Sequence, residues 1–260
     1  MNTLMSPPLA PLLAQMFADA DVTQAAFEQQ LETFSPEERH ALEGHGDYRE
    51  LYARMKDIHL AVSRDTGVLL YMLARSTGAH SIIEFGTSFG ISTLHLAAAL
   101  KDNGGGHLIS TEFELSKAVR ARENLIEANL SDLVEIREGD ALETLARDLP
   151  ETIDLVLLDG AKALYPRVLS LLEAHLRAGA LIIADNADKS PDYLAKVRSP
   201  TGGYLSVPFA SDVELSMKPD TGGGEKGGRA ACRGGRCLWR RPGREELKAG
   251  GGACVPQIRF

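Results

Sequence analysis

The sequence predicts an α/β fold: a mostly parallel seven-stranded sheet with an antiparallel last strand, helices on both faces, and a helical N-terminal extension. Three observations carry this. Five short, nearly all-apolar runs alternate with helical stretches between Ser81 and Ala184. Strands that apolar are covered on both faces, and intervening helices join them through right-handed crossovers into a parallel sheet. The first run ends in a glycine-spaced turn, Glu84-Phe-Gly-Thr-Ser-Phe-Gly90, from which a helical pattern starts. Such a strand–loop–helix unit holds a nucleotide-like cofactor. Near the end, Gly203–Pro208 and Asp212–Lys218 follow one another without a helix between, as the strands of a hairpin do.

In chain order, Leu9–Gly78 reads as mostly helical. Ser35-Pro36-Glu37-Glu38 offers a cap residue, proline at the first helical position and early acids. Tyr48–Val62 and Asp65–Ser76 continue the helical signal, with Asp65 as a cap and Gly78 as a stop. Strands are expected at Ser81–Phe85, His107–Thr111, Leu133–Arg137, Ile153–Leu158 and Ala180–Ala184. Helices are expected at Ile91–Leu100, Ser116–Asn129, Ala141–Asp148 and Ala163–Leu176. The closing hairpin adds an antiparallel strand at the end of the sheet.

The 260 residues suffice for one large α/β domain. The division is an N-terminal helical segment (1–78) on the cap or acceptor side, a cofactor-binding domain (79–218) and a tail (219–260). The tail holds 11 of the 25 glycines, all three cysteines and the only tryptophan. It carries net charge +5, against −13 for the first 218 residues. With few aliphatics and no period of 2 or 3.6, it is expected to be disordered. No histidine accompanies its cysteines, which argues against zinc. The overall charge of −8 argues against nucleic acid as the main partner. No apolar run is long enough to span a bilayer, and the N-terminus lacks the shape of a signal peptide, so a cytoplasmic protein is expected.

Ligands of open α/β sheets sit outside the carboxyl ends of the strands, so the residues there are the candidates. After the first strand stand Glu84, Gly86, Gly90 and Ser92. The glycines let backbone approach a ligand, and Glu84 can accept from an ammonium group; the competing reading is a tight turn with a solvated acid. After the second strand stands Glu112, placed to grip a ribose diol or to cap a helix, with Glu114 competing for the cap. After the third, Asp140 caps the next helix in a turn that also lies against an adenine. The spacing Glu-x-Gly-x-x-x-Gly differs from that of dinucleotide sites and points to a smaller cofactor with an amino-acid end.

The fourth strand ends in Asp159-Gly-Ala-Lys162 and the fifth in Asp185-Asn186. Neighbouring parallel strands lie about 4.8 Å apart, so these oxygens can converge. Two carboxylates so close repel unless a cation lies between them, and hard oxygen ligands suit Mg²⁺. Taken singly, each segment reads as a cap or a turn; together they favour a metal. Tyr165 reads as packing or as a pocket wall. The histidines show no metal spacing.

These strand-end residues resemble the class I S-adenosylmethionine-dependent methyltransferases, which have a Rossmann-like fold. More narrowly they are similar to the cation-dependent O-methyltransferases of the catechol and caffeoyl-CoA type. The resemblance covers roughly Asp65–Lys218. It is sharpest at Glu84–Gly90, Asp159–Lys162, Asp185-Asn186 and Asp-Val-Glu-Leu-Ser-Met-Lys218. It implies that Glu84, Gly86, Thr87, Gly90, Ser92, Glu112, Asp140 and Ala141 contact S-adenosyl-L-methionine. It implies that Asp159, Asp185 and Asn186 hold a divalent cation, Mg²⁺ by preference, and that Lys162 is the general base beside Asp159. The acceptor is then a small phenolic or catecholic hydroxyl compound, and analogy with bacterial relatives suggests a homodimer. Glu112 stands where the family often has Asp, and the segment after Asn186 departs from the plant enzymes. Three rivals remain open at this point: a metal-independent methyltransferase on the same fold, a nicotinamide-dependent oxidoreductase, and a non-catalytic cofactor-sensing protein.

Overall fold

In a computed structural model of the chain, the residues described are 2–31, 34–35, 55–209 and 212–220. The helical readings at 36–54 and the tail beyond residue 220 lie outside them. The long helix α1 (Leu9–Leu31) comes first. Leu9, Leu12, Leu13, Met16, Phe17 and Ala20 form its buried stripe, at the spacing of one helical face. After an irregular stretch at 55–63 comes α2 (Arg64–Ser76). The helix expected up to Val62 is absent over 55–62, which are turn and coil. There Leu60 and His59 reach toward the site. The cap of α2 is Ser63 rather than Asp65; its Oγ accepts from the Thr66 amide at 3.0 Å.

The alternation then follows: β1 (Ser81–Phe85), α3 (Ile91–Asp102), β2 (His107–Glu112), α4 (Leu115–Glu127), β3 (Val134–Glu138), α5 (Ala141–Thr144), β4 (Ile153–Leu158), α6 (Tyr165–Leu172), β5 (Leu176–Ala184), α7 (Pro191–Arg198), β6 (Leu205–Pro208) and β7 (Glu214–Met217). The seven strands form one sheet in the order β3-β2-β1-β4-β5-β7-β6. The first five are parallel, and β7 runs antiparallel to both β5 and β6. The hairpin therefore ends the sheet, with the antiparallel strand inside and β6 at the edge.

The strand period of two divides the core. Ile82, Leu155, Leu157 and Ile183 pack toward α2 and α3. Ile83, Val156, Leu158 and Ile182 pack toward α6 and α7. Helix α3 is buried along its length from Ile91 to Leu100, because α1 and α4 cover what the sheet does not.

Four elements, α5, α6, β5 and α7, differ from expectation. Helix α5 stops at Thr144 rather than Asp148, and Arg137 binds the carbonyls of Thr144, Arg147 and Asp148 that continued helix would have used. Helix α6 ends at Leu172, since β5 already begins at Leu176. Gly179, with φ +78°, interrupts the strand pattern there and hid its first half. Helix α7, unread in the sequence, starts at Pro191.

Candidate functional site

The strand order reverses at β1, which has β2 on one side and β4 on the other. Crevices at such switch points hold ligands in α/β sheets. Register decides what meets there. Phe85 pairs with Leu158, and Leu158 pairs with Ala184. The next residues, Gly86, Asp159 and Asp185, therefore stand side by side at the strand tips. A cavity opens at these tips, with Gly86, Glu112, Asp140, Ala141 and Asp159 among its walls.

The glycine turn is held by backbone. The Gly86 and Thr87 amides both donate to the Thr111 carbonyl, at 3.2 and 3.0 Å. Gly86 has φ +107°, and a Cβ on it would lie 2.5 Å from the Asp159 carbonyl oxygen, so only glycine fits. Gly90 caps α3 in the left-handed conformation and packs against Ala121. The cavity's outer wall comes from the irregular stretch before α2. Leu60 lines it. His59 stacks on Phe89 of the glycine turn, ring centroids 4.0 Å apart, and is tethered to Thr23 of α1.

Glu84 is fully buried. Its Oε2 accepts from Thr93 Oγ1 at 2.6 Å and from Ser110 Oγ at 2.5 Å, while Oε1 has no hydrogen-bond partner. Burial pushes its carboxyl up to about 7 against the opposing hydroxyls of Ser110, Ser92 and Thr93; the charge of Asp159 adds to the rise. Ser92 thus serves Glu84, and Thr87 turns its hydroxyl to Ser110 and the Thr111 carbonyl.

Glu112 does not cap α4. Glu114 does, accepting from Ser116. Glu112 is free to face the cavity while its Oε2 takes the Ser88 amide (2.7 Å) and its Oε1 the Glu114 amide (2.8 Å). Burial raises its pKa, and these amides and the charge of Lys117 oppose the rise. Asp140 caps α5 as expected, its Oδ1 accepting from the Leu142 amide at 2.9 Å.

Asp159 and Asp185 lie at neighbouring strand tips, and burial raises the pKa of both carboxyls. Burial and then the charge of Asp159 push Asp185 up to about 7. Lys162 Nζ donates to Asp159 Oδ1 at 3.0 Å and to the Tyr165 hydroxyl at 2.8 Å. Tyr165 is fully buried, and its hydroxyl donates to the Asp185 carbonyl at 2.8 Å. One tyrosine thereby joins the ends of β4 and β5. Asn186, at φ +47°, directs its Nδ2 to Asp212 Oδ2 at 3.4 Å. Among the described residues no three His, Cys, Asp or Glu side chains form a metal-holding group. The oxygen set is two carboxylates, the Asn186 amide and the nearby Asp212, which suits a hard cation that keeps waters.

Of the residues expected at the site, Gly86, Glu112, Asp140, Ala141 and Asp159 line the cavity, and Lys162, Asp185 and Asn186 adjoin it. Glu84, Thr87, Gly90 and Ser92 stand behind it and shape the turn. Sequence reasoning missed Leu60, Lys117 and Asp212. It also missed the polar role of Tyr165. Its three-residue spacing from Lys162 was the available signal for that one.

A family profile described as a methyltransferase domain matches residues 83–187. A catechol O-methyltransferase of Niastella koreensis is 35% identical over 130 residues, 49% of this chain and 58% of that protein. Catechol O-methyltransferase B of Danio rerio is 32% identical over 177 residues, covering 65% and 66%. The chain thus spans about three fifths to two thirds of the length of these relatives. The solved structure of the O-methyltransferase TomG from Streptomyces achromogenes, in complex with S-adenosylmethionine, superposes with a TM-score of 0.54 at 28% identity, covering 64% of this chain and 85% of that one. With a mostly parallel sheet whose strand order reverses at β1 and a glycine turn at its tip, residues 83–187 form a methyltransferase domain, and the chain is similar to O-methyltransferases, catechol O-methyltransferases among them.

Proposed function

We propose that the protein transfers a methyl group from S-adenosyl-L-methionine to a hydroxyl of a small phenolic or catecholic acceptor, assisted by a divalent cation. The observation that carries this reading is the adjacency of Gly86, Asp159 and Asp185. It sets a cavity directly beside a lysine and two carboxylates. The fit of the cofactor rests on two features: the turn that a single Cβ at Gly86 would fill and the cavity-facing Glu112.

Glu112 accepts from the ribose hydroxyls, and the Asp140–Ala141 turn lies along the base. In the reaction the carbon–sulfur bond breaks, its electron pair staying on sulfur, as the acceptor oxygen bonds to the methyl carbon; the hydroxyl proton goes to Lys162 Nζ in its neutral amine form, which the charge of a nearby divalent cation would favour. A phenol with pKa near 10 is ionised only about one part in a thousand at pH 7, so proton removal needs help. A divalent cation held by Asp159, Asp185 and Asn186 supplies a Lewis acid that favours the phenolate. Lys162 is held in place from two sides, by Asp159 and Tyr165, so its nitrogen is aimed before substrate arrives. Alignment of oxygen, carbon and sulfur contributes the rest of the barrier lowering.

A second reading, methyl transfer without a metal, is favoured by the Lys162–Asp159 pair, which partly neutralises the acids by itself. Calorimetric titration with S-adenosylhomocysteine, with and without Mg²⁺ and catechol, separates the two. Cofactor binding with Mg²⁺-dependent catechol binding supports the proposal. Catechol methylation that survives a chelator supports the second reading. No binding of S-adenosylhomocysteine overturns both.

A further inference from the structure

Lys117 is 2% exposed, one of the largest fully buried side chains in the protein. It stands in the first turn of α4 and lines the same cavity as Ser88 and Glu112. Among the described residues, no hydrogen bond or ion pair reaches its ammonium. The face of Phe89 lies beside it, with the ring centroid 5.5 Å from Nζ. The charges of Glu112, Glu114 and Asp57 act on it without forming an ion pair. An ammonium whose stem is buried and whose donors open only onto the cavity has no acceptor within the protein. Burial lowers its pKa. Packing does not explain the choice of lysine, since an apolar side chain of the same length would fill the space without leaving donors unmatched. An acceptor that enters with a ligand does explain it.

The chemistry of the neighbouring wall narrows the ligand group. Glu112 is acceptor-only and Lys117 is donor-only. They face one cavity, and Glu112 is already fixed by the Ser88 and Glu114 amides. A fixed acceptor beside a donor matches a group that both gives and takes hydrogen bonds, as a sugar hydroxyl pair does. We infer that Lys117 is a cofactor-binding residue that donates to a ribose oxygen of the S-adenosyl group, completing with Glu112 a two-sided clasp on the diol. This rests on the function proposed above. Phe89, backed by the stacked His59, turns its ring face to the lysine ammonium beside the glycine turn.

The test is calorimetry on the full chain with two ligands. S-adenosylhomocysteine carries the ribose and the amino-acid end; 5′-methylthioadenosine carries the ribose alone. In Lys117→Met the stem stays and the donor goes. The expected result is a dissociation constant raised about ten- to a hundredfold for both ligands, the scale of one charged hydrogen bond. The ligand-free melting temperature should be equal or higher. Unchanged affinity for both ligands overturns the inference. So does a loss confined to S-adenosylhomocysteine, which would assign the lysine to the amino-acid carboxylate. If Lys117→Met does not fold, Lys117→Gln, which keeps a weaker neutral donor, is read in the same way. A wild-type chain that binds neither ligand overturns the parent reading instead.

Discussion

Gly86 stands so close to the backbone of Asp159 that a methyl group on its Cα would lie 2.5 Å from the Asp159 carbonyl oxygen. The tip of β1 and the tip of β4 are thus locked together, and the cavity inherits its shape from that contact. Gly86→Ala must rotate a φ of +107° that alanine disfavours and also push the strands apart. The expected cost is about 2–4 kcal/mol. The check is a melting temperature lowered by several degrees together with loss of S-adenosylhomocysteine binding. A variant with wild-type affinity would refute the account of the turn.

Asp185→Ala removes one of two carboxylates at the proposed cation site. Mg²⁺-stimulated turnover is expected to vanish, and calorimetry should show Mg²⁺ affinity lowered by at least about tenfold. S-adenosylhomocysteine binding should persist. Undiminished activity of this variant in the presence of a chelator rules out the metal-assisted mechanism.

Tyr165→Phe keeps the ring, which packs edge-on to Phe85 and Tyr193, and deletes only the hydroxyl between Lys162 and the Asp185 carbonyl. Lys162 then loses one of two anchors. The expected outcome is kcat down about tenfold or more with little change in cofactor affinity. Equal losses in kcat and in S-adenosylhomocysteine binding would mean that the tyrosine merely supports the fold.

Two buried groups pull stability in opposite directions with pH. Glu84 has a folded-state pKa near 7, above its ordinary value of 4.5. Its contribution is therefore fully present below about pH 4.5 and is lost as pH rises through 7, by roughly 3 kcal/mol at most. Glu84→Gln should flatten that decline. His95, packed against Gly67 and bonded to the Ile91 carbonyl, has its pKa lowered by burial. Its contribution is present above about pH 6.5 and is lost as pH falls below it. His95→Gln should be less sensitive to acid than the wild type. Melting curves of the ligand-free chain from pH 4.5 to 8 test both signs.

The strands were legible because both faces of each are buried, which leaves unbroken apolar runs such as Ile153–Leu158. Glu84, Asp159 and Asp185 were legible because polar residues at the ends of such runs have nowhere to go but the strand tips. What could not be read was decided by contacts distant in sequence. Residues 55–62 have helical composition, yet His59 is drawn out to Phe89 and Leu60 to the cavity. Lys117 looks like any exposed lysine in an amphipathic helix until the glycine turn closes over it. Asp212 enters through the hairpin, whose turn returns to the end of β5. Ser92 and Thr87 were placed at the ligand because they follow the glycine turn; their hydroxyls instead satisfy the buried polar groups behind it.

The side-by-side pairing of Phe85, Leu158 and Ala184 makes the three central strands act as rulers cut to a common mark. Because side chains alternate with every residue, deleting one position within β4 would swing Asp159 to the opposite side and drag Lys162 away with it. Length changes in the connections at 145–152 or 199–204 leave those marks aligned. Descendants of this chain can therefore vary the rim of the crevice widely, while the count of residues along each central strand stays fixed.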